Sequence, residues 1–201
     1  MKKTVLFGLL IIVLAFGFVG CTREVACPDN YCPESDFRVE QLDDGNLRVV
    51  EYLGSNRVVS IPSTINGLPV TRIGVTAFSE RGLTSVAIPD SVTVIEGGAF
   101  RRNQLASVIM SNNVTSILNW AFANNRLTTI TFPDSLTHIG ASAFAGNRLT
   151  SITIPDNVTS IWDAAFRGNN RLREVSIPRN TRITTSGFGA TFDDNVNIIR
   201  R

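Results

Sequence analysis

The stretch Leu149-Thr-Ser-Ile152-Thr-Ile154-Pro155-Asp-Asn-Val158-Thr-Ser-Ile161-Trp-Asp-Ala-Ala165-Phe166 decides the fold. Its first six residues alternate apolar with small polar side chains, as a half-buried strand does. Pro155 has no N–H and ends the hydrogen-bond ladder there. Asp156-Asn157 supplies a turn, after which Val158 and Ile161 point inward again. Ala165-Phe166 closes the unit, and Gly168-Asn169-Asn170 turns the chain toward the next strand. Asn and Gly are expected at that turn because it needs residues that tolerate positive φ.

The unit recurs. Phenylalanine stands at 78, 100, 122, 144, 166 and 188, and isoleucine at 73, 95, 117, 139, 161 and 183, both at one constant step. Leucine stands at 83, 105, 127, 149 and 172, one extra Asn accounting for the last step. A fixed period of this size means a solenoid whose coils bury their apolar faces on one another. A single coil buries about seven side chains at roughly 1.5–3 kcal/mol each. Ordering its residues costs on the order of 33 kcal/mol. Stacking supplies the difference, with one column of aromatic rings running through the centre.

Leu-x-x-Ile-x-Ile-Pro-Asp-x-Val-x-x-Ile-x-x-x-Ala-Phe, present at Leu83–Phe100, Leu105–Phe122, Leu127–Phe144 and Leu149–Phe166, resembles the leucine-rich repeats of the BspA-like, Treponema-type family. Ser111 replaces the Pro of one unit. Ile61-Pro62 through Val70, Ile73 and Ala77-Phe78 resembles the same pattern, so the likeness covers residues 37–201. It implies a leucine-rich-repeat solenoid, mainly β, with parallel strands every 22 residues on a concave face. The convex side is expected to be irregular or short 3-10/helical. The resemblance also implies export or surface display and adhesion or host-protein binding.

The N-terminus reads as an export signal. Lys2 and Lys3, the only lysines, precede an apolar run from Val5 to Val19. That run is short for a membrane span. Phe18-Val19-Gly20-Cys21 resembles the lipobox of bacterial lipoproteins, with Phe18 where Leu is usual. The resemblance implies a diacylglyceryl group on Cys21, and acyl chains in that number anchor a protein stably. Cys27 and Cys32 are separated by Pro-Asp-Asn-Tyr, a turn-forming spacer that permits a disulfide in an exported chain; two thiols in a tether are the alternative. Residues 1–20 are thus expected to be signal peptide and 21–36 a tether. Residues 37–58 form a capping hairpin turned at Asp43-Asp-Gly45-Asn46, and 59–201 the solenoid with its C-terminal cap, where Val196-Asn-Ile198 is a last strand.

The outward residues of the repeat strands form two columns: Ser85, Ser107, Thr129, Ser151 and Glu174, then Ala87, Ile109, Thr131, Thr153 and Ser176. This hydroxyl-rich surface is the expected binding face for a protein or glycan; simple strand propensity and solubility explain it equally. Arg126, Arg148 and Arg171 form a second column at the coil turn. They are either an edge for polyanions or solvated side chains lying on the turn. Asp90, Asp134 and Asp156 offer one carboxylate per turn, too few for calcium, and read as turn caps. No metal site or cofactor is expected. His138 reads as a surface residue. Trp120 and Trp162 fall at different places in their coils and form no stacking ladder. Asn113-Val-Thr115 and Asn157-Val-Thr159 match glycosylation acceptors but suit turns.

From Thr22 onward, 17 Arg balance 17 acids, which removes the case for nucleic acid. Residues 22–57 carry net −4 and 58–201 net +4. One histidine, no phosphate-cradling loop and no carboxylate pair outside surface turns argue against an enzyme. The expectation is a monomeric, non-catalytic lipoprotein, anchored in the bacterial envelope and displayed on the outer surface, that binds a protein or glycan. The alternative is a periplasm-facing structural lipoprotein that serves assembly of the envelope.

Overall fold

A computed structural model describes residues 32–184 and 190–201. The chain winds into a β-solenoid of about seven turns with almost no helix. In chain order its strands are β1 (Phe37–Gln41), β2 (Leu47–Tyr52), β3 (Val58–Ser60), β4 (Thr64–Ile65), β5 (Leu68–Ile73), β6 (Ser85–Ala87), β7 (Val94–Ile95) and β8 (Ser107–Ile109). There follow β9 (Ser116–Ile117), β10 (His138–Ile139), β11 (Ser151–Thr153), β12 (Ser160–Ile161), β13 (Glu174–Ile177), β14 (Arg182–Ile183) and β15 (Asn197–Arg200).

Most coils contribute to two parallel ladders. On the strand face β3, β6 and β8 pair in register, as do β11, β13 and β15. On the second side β5, β7, β9, β10, β12 and β14 continue one ladder from the hairpin strand β2. The second side was expected to be irregular or short 3-10/helical. Its regular part is this run of strands, two residues each after β5, and the turns between them are irregular. Among the described residues the one helical element is a 3-10 turn at Glu34–Asp36.

The centre is a column of rings. Phe78, Phe100, Phe122, Phe144 and Phe166 are fully buried, and successive centroids lie 5.0, 5.1, 5.3 and 5.5 Å apart. The small residue before each ring (Ala77, Ala99, Ala121, Ala143, Ala165) is buried as well. Tyr52 of the hairpin stacks on Phe78 at 5.3 Å. At the other end Phe192 stacks on Phe166 at 5.5 Å with planes 1° apart. Phe188, which the repeat period puts in this column, lies outside the described residues; the ring that follows Phe166 is Phe192. Both end steps, Tyr52 to Phe78 and Phe166 to Phe192, exceed the repeat step, so the terminal coils are longer than the others.

A second column is polar. Asn103, Asn125, Asn147 and Asn169 are buried at the same period. The Asn125 Oδ1 accepts from the Leu105 N–H at 3.0 Å, and its amide donates to the carbonyls of Phe100 (2.9 Å) and Phe122 (3.1 Å). Asn147 and Asn169 repeat the pattern one coil on. This corrects the reason assigned to Asn169. The left-handed residue is the one before each Asn: Arg102, Asn124, Gly146 and Gly168. The Asn itself satisfies backbone groups that the turn would otherwise bury unpaired.

The hairpin forms as expected, with Gly45 at φ 82° in its turn. Glu51 on β2 pairs with Arg38 at 2.7 Å and with Arg81 of the first coil at 2.8 Å, so the acidic cap meets the basic solenoid there. Residues 32–36, assigned to the tether by sequence, pack on this end. Cys32 is buried in the core, the Leu53 N–H donates to the Asp36 carbonyl, and the Asn66 N–H donates to Glu34 at 2.8 Å. At the C-terminus β15 adds to β13 with Ile198 opposite Val175. It is longer than the expected strand, and the Arg200 guanidinium donates to the Thr181 carbonyl at 2.9 Å, closing the last turn.

Replacing Asn125 with Ala orphans the Leu105 N–H and leaves the Phe100 and Phe122 carbonyls with only their bonds from Asn103 and Asn147; it is expected to cost about 2 kcal/mol. Thr76, a β-branched residue held at φ 54°, gives the opposite sign: Thr76→Gly relieves left-handed strain and is expected to stabilise by about 1 kcal/mol. Urea midpoints moving in opposite directions, at unchanged slope, check both.

Candidate binding site

The outward residues of the strand face stand where the alternation places them. Ser85 pairs across with Ser107, and Ala87 with Ile109; Ser151 pairs with Glu174, and Thr153 with Ser176. The columns run further than the repeat motif indicates. Val58 and Ser60 extend them at the N-terminal end, and Asn197 and Ile199 at the C-terminal end. Ser85 and Ser107 share a hydroxyl hydrogen bond at 2.9 Å. Ile109 is 67% exposed, the most exposed large apolar side chain of this face.

Thr129 and Thr131 differ from their neighbours. The segment that carries them lies between β8 and β11 but forms no strand, so the face is two three-stranded sheets with a gap between them. At this coil Phe132 takes the inward position held by Ile88 and Ile154 in other units. Its ring lies edge-on to Phe144 at 5.3 Å and to Phe166 at 6.4 Å. A ring in place of an aliphatic chain, next to the one unit with Ser111 for Pro, marks the place where the ladder opens.

The gap holds a depression of about 610 Å³ bordered by Thr129, Thr131, Ser151, Thr153, Asp156 and Arg201. The Arg201 guanidinium pairs with Asp156 at 2.6 Å and donates to the Ser176 hydroxyl at 3.0 Å. Asp134 also borders the depression, so its wall carries hydroxyls, two carboxylates and one guanidinium. A smaller hollow of about 260 Å³ adjoins it, between Ile109 and Phe132. Sequence reasoning found the threonines and serines here. It missed Asp156 and Arg201 as partners, because they are far apart in the chain and meet only through the fold. The sequence departure at this coil is Phe132, which strand alternation does not connect to a gap.

The remaining candidates sit elsewhere. Arg126, Arg148 and Arg171 are exposed on successive coils, and no salt bridge involves them among the described residues. Asp90 accepts from the Asn112 N–H at 3.1 Å, a turn contact. The side-chain amides of Asn113 and Asn157 donate to the Asp90 and Asp134 carbonyls at 2.8 and 2.7 Å, linking adjacent turns. Among the described residues no group of three His, Cys, Asp or Glu is placed to hold a metal, and no helix is long and apolar enough to cross a membrane. Cys21 and Cys27 lie outside the described residues, and with them the acylation site and the pairing of Cys27 with Cys32.

The family model described as BspA type leucine rich repeat region matches residues 71–193 in six copies. The chain belongs to this family. Its fold is that of typically non-catalytic binding proteins, and the repeat family is consistent with a binding role. Among solved structures, the chain is similar to the leucine-rich repeat protein TpLRR of T. pallidum, with 28% identity and a TM-score of 0.70 over 77% of this chain and 81% of that one. A leucine-rich repeat protein from Bacteroides ovatus is 23% identical, with a TM-score of 0.63 over 82% of this chain and 51% of that one. The pneumococcal vaccine antigen PcpA shares the fold at 19% identity, with a TM-score of 0.55 over 82% of this chain and 48% of that one. The chain thus spans about half the length of these last two. No curated protein matches it in sequence.

If the face is open at Thr129–Thr131, amide exchange reports it. The amides of residues 129–131 are expected to exchange on the order of tenfold or more faster than those of the interior strands β6 and β13, by hydrogen–deuterium exchange read residue by residue.

Proposed function

We propose that this chain is a cell-surface lipoprotein whose leucine-rich-repeat solenoid binds a protein or glycan partner through the strand face, without catalysis. The observation that carries the reading is the gap at Thr129–Thr131. It interrupts an otherwise continuous ladder and exposes hydroxyls, carboxylates and a guanidinium around one depression, next to the exposed Ile109. Such a mixture suits recognition better than a closed, uniform sheet, because unpaired backbone groups and polar side chains there can bond a partner directly. The N-terminal basic and apolar run, ending in Gly20-Cys21, supports export and acylation. The membership in the BspA-type family supports surface association.

Two measurements test the reading. Labelled palmitate is expected on the expressed chain and absent from Cys21→Ser; protease treatment of intact cells is expected to remove the chain, and full protection would support the periplasm-facing alternative. For the face, immobilised matrix proteins are expected to capture the parent chain and lose at least tenfold in affinity, about 1.4 kcal/mol, for Thr129→Arg/Thr131→Arg. Equal capture of the two proteins would remove the strand face from the interaction.

A further inference from the structure

The second side of the solenoid carries a cleft that the strand-face reading does not use. Ile117, Ile139 and Ile161 point into the core on three successive coils. The residues on either side of them therefore point out. Ser116, His138 and Ser160 stand in register in one column. Leu118, Gly140 and Trp162 follow at one level, their N–H groups donating to Ile95, Ile117 and Ile139. Gly140 thus lies between a leucine and a tryptophan, and it has no side chain to fill the space. The resulting cleft measures about 380 Å³ and is bordered by Ser116, Leu118, Asn119, His138, Gly140 and Trp162.

The floor cannot be closed by substitution. A Cβ on Gly140 would lie 2.6 Å from the Asn119 nitrogen and 2.6 Å from the Leu118 carbonyl carbon. The walls are apolar and unusually open, Leu118 at 40% and Trp162 at 50% exposure. Two strand spacings separate their backbones, about 10 Å, which leaves room for one ring between the side chains. Polar groups stand at the rim. The His138 Nδ1 contacts the Thr137 hydroxyl at 2.7 Å, which directs Nε2 outward. Asn119 uses its Oδ1 to accept from the Ala141 N–H at 2.8 Å, and the Ser116 hydroxyl adds a third group. Among the described residues no carboxylate or guanidinium borders the cleft.

We infer that this cleft binds a single neutral sugar ring of a glycan, its apolar face against Trp162 and its hydroxyls toward His138, Asn119 and Ser116. A pyranose combines a stackable C–H face with an equatorial rim of donors and acceptors, and a tryptophan with a polar rim matches both. The uncharged border favours a neutral ring over an anionic one. A buried aromatic side chain of a protein partner would use the walls but leave the three rim groups without partners. This inference rests on the second ladder and stands apart from the strand face, so either can fail alone.

The chain has two tryptophans, so the two indole N–H resonances of the 15N-labelled protein read the site. Methyl pyranosides of glucose, galactose, mannose and N-acetylglucosamine are the probes. At least one is expected to shift the Trp162 indole saturably, with a dissociation constant on the order of 1 mM, as suits a ligand of that size. Read in the same spectra on the backbone amide of Gly140, which every variant keeps, Trp162→Ala is expected to abolish binding and Leu118→Ala to weaken it severalfold, while Trp162→Phe retains most of it, which separates stacking from misfolding. No saturable shift with any of the four overturns the inference. A saturable shift with N-acetyltyrosinamide and with none of the glycosides overturns it too, in favour of a protein side chain.

Discussion

Each ring of the central column has its own copy above and below it, and everything else in the molecule is registered to that contact. Six ring pairs from Tyr52 to Phe192 lie between 5.0 and 5.5 Å apart. That spacing slightly exceeds the separation of neighbouring strands in a sheet, so the rings fit only when successive coils have equal length and equal phase. Each buried ring contributes about 1.5–3 kcal/mol by burial and a stacked pair about 0.5–1.5 kcal/mol more. A coil one residue out of phase would lose both and would point its outward set into the core. The inserted residue is absorbed in the turn after Asn169 and before Leu172, where the step is one residue longer than in the other coils and both columns have already passed.

The polar column shows why the aromatic one is possible. Packing a turn tightly enough to bring Phe100 and Phe122 into contact buries the carbonyls beside them. Asn125 bonds both, and bonds the Leu105 N–H as well. The arrangement recurs at Asn103, where Oδ1 takes the N–H groups of Arg81 and Leu83 at 3.0 Å each. Thr93, Thr115, Thr137 and Thr159 do a milder version on the second side, each hydroxyl donating to the carbonyl of the residue one coil back. The repeat therefore keeps its geometry through hydrogen bonds between coils as much as through apolar contact.

Period and alternation were legible because they are properties of the sequence alone. The repeat spacing, the inward Val86 and Ile152, the outward serines and threonines and the hairpin at Gly45 all follow from counting and from strand phase. Asn169 was visible but misread, because asparagine serves both left-handed turns and side-chain capping, and only the φ of its neighbour Gly168 tells them apart. Phe192 was hidden by Phe188, which fits the period; the longer terminal coil breaks it. The gap at Thr129–Thr131 was hidden for a different reason. Alternation at one strand says nothing about whether its neighbours come close enough to pair, and Phe132 acts on that distance rather than on phase.

A perfect repeat would present the same outward side chain on every coil and have no distinct place for a ligand. Sites arise here where one coil departs from the pattern while the column contacts hold. Phe132 opens the strand face but still packs its edge on Phe144, so the ring column is undisturbed. Gly140 opens the second side between Leu118 and Trp162, yet Ile139 beside it stays fully buried in its column. In both cases the change lies on a side chain that no neighbouring coil copies, and the hydrogen-bonded columns on either side hold the walls at fixed separation. Preorganisation of that kind spares a ligand the ordering cost it would meet on a loop. The stack thus allows single-coil changes on its surface to become rigid, local and separable features.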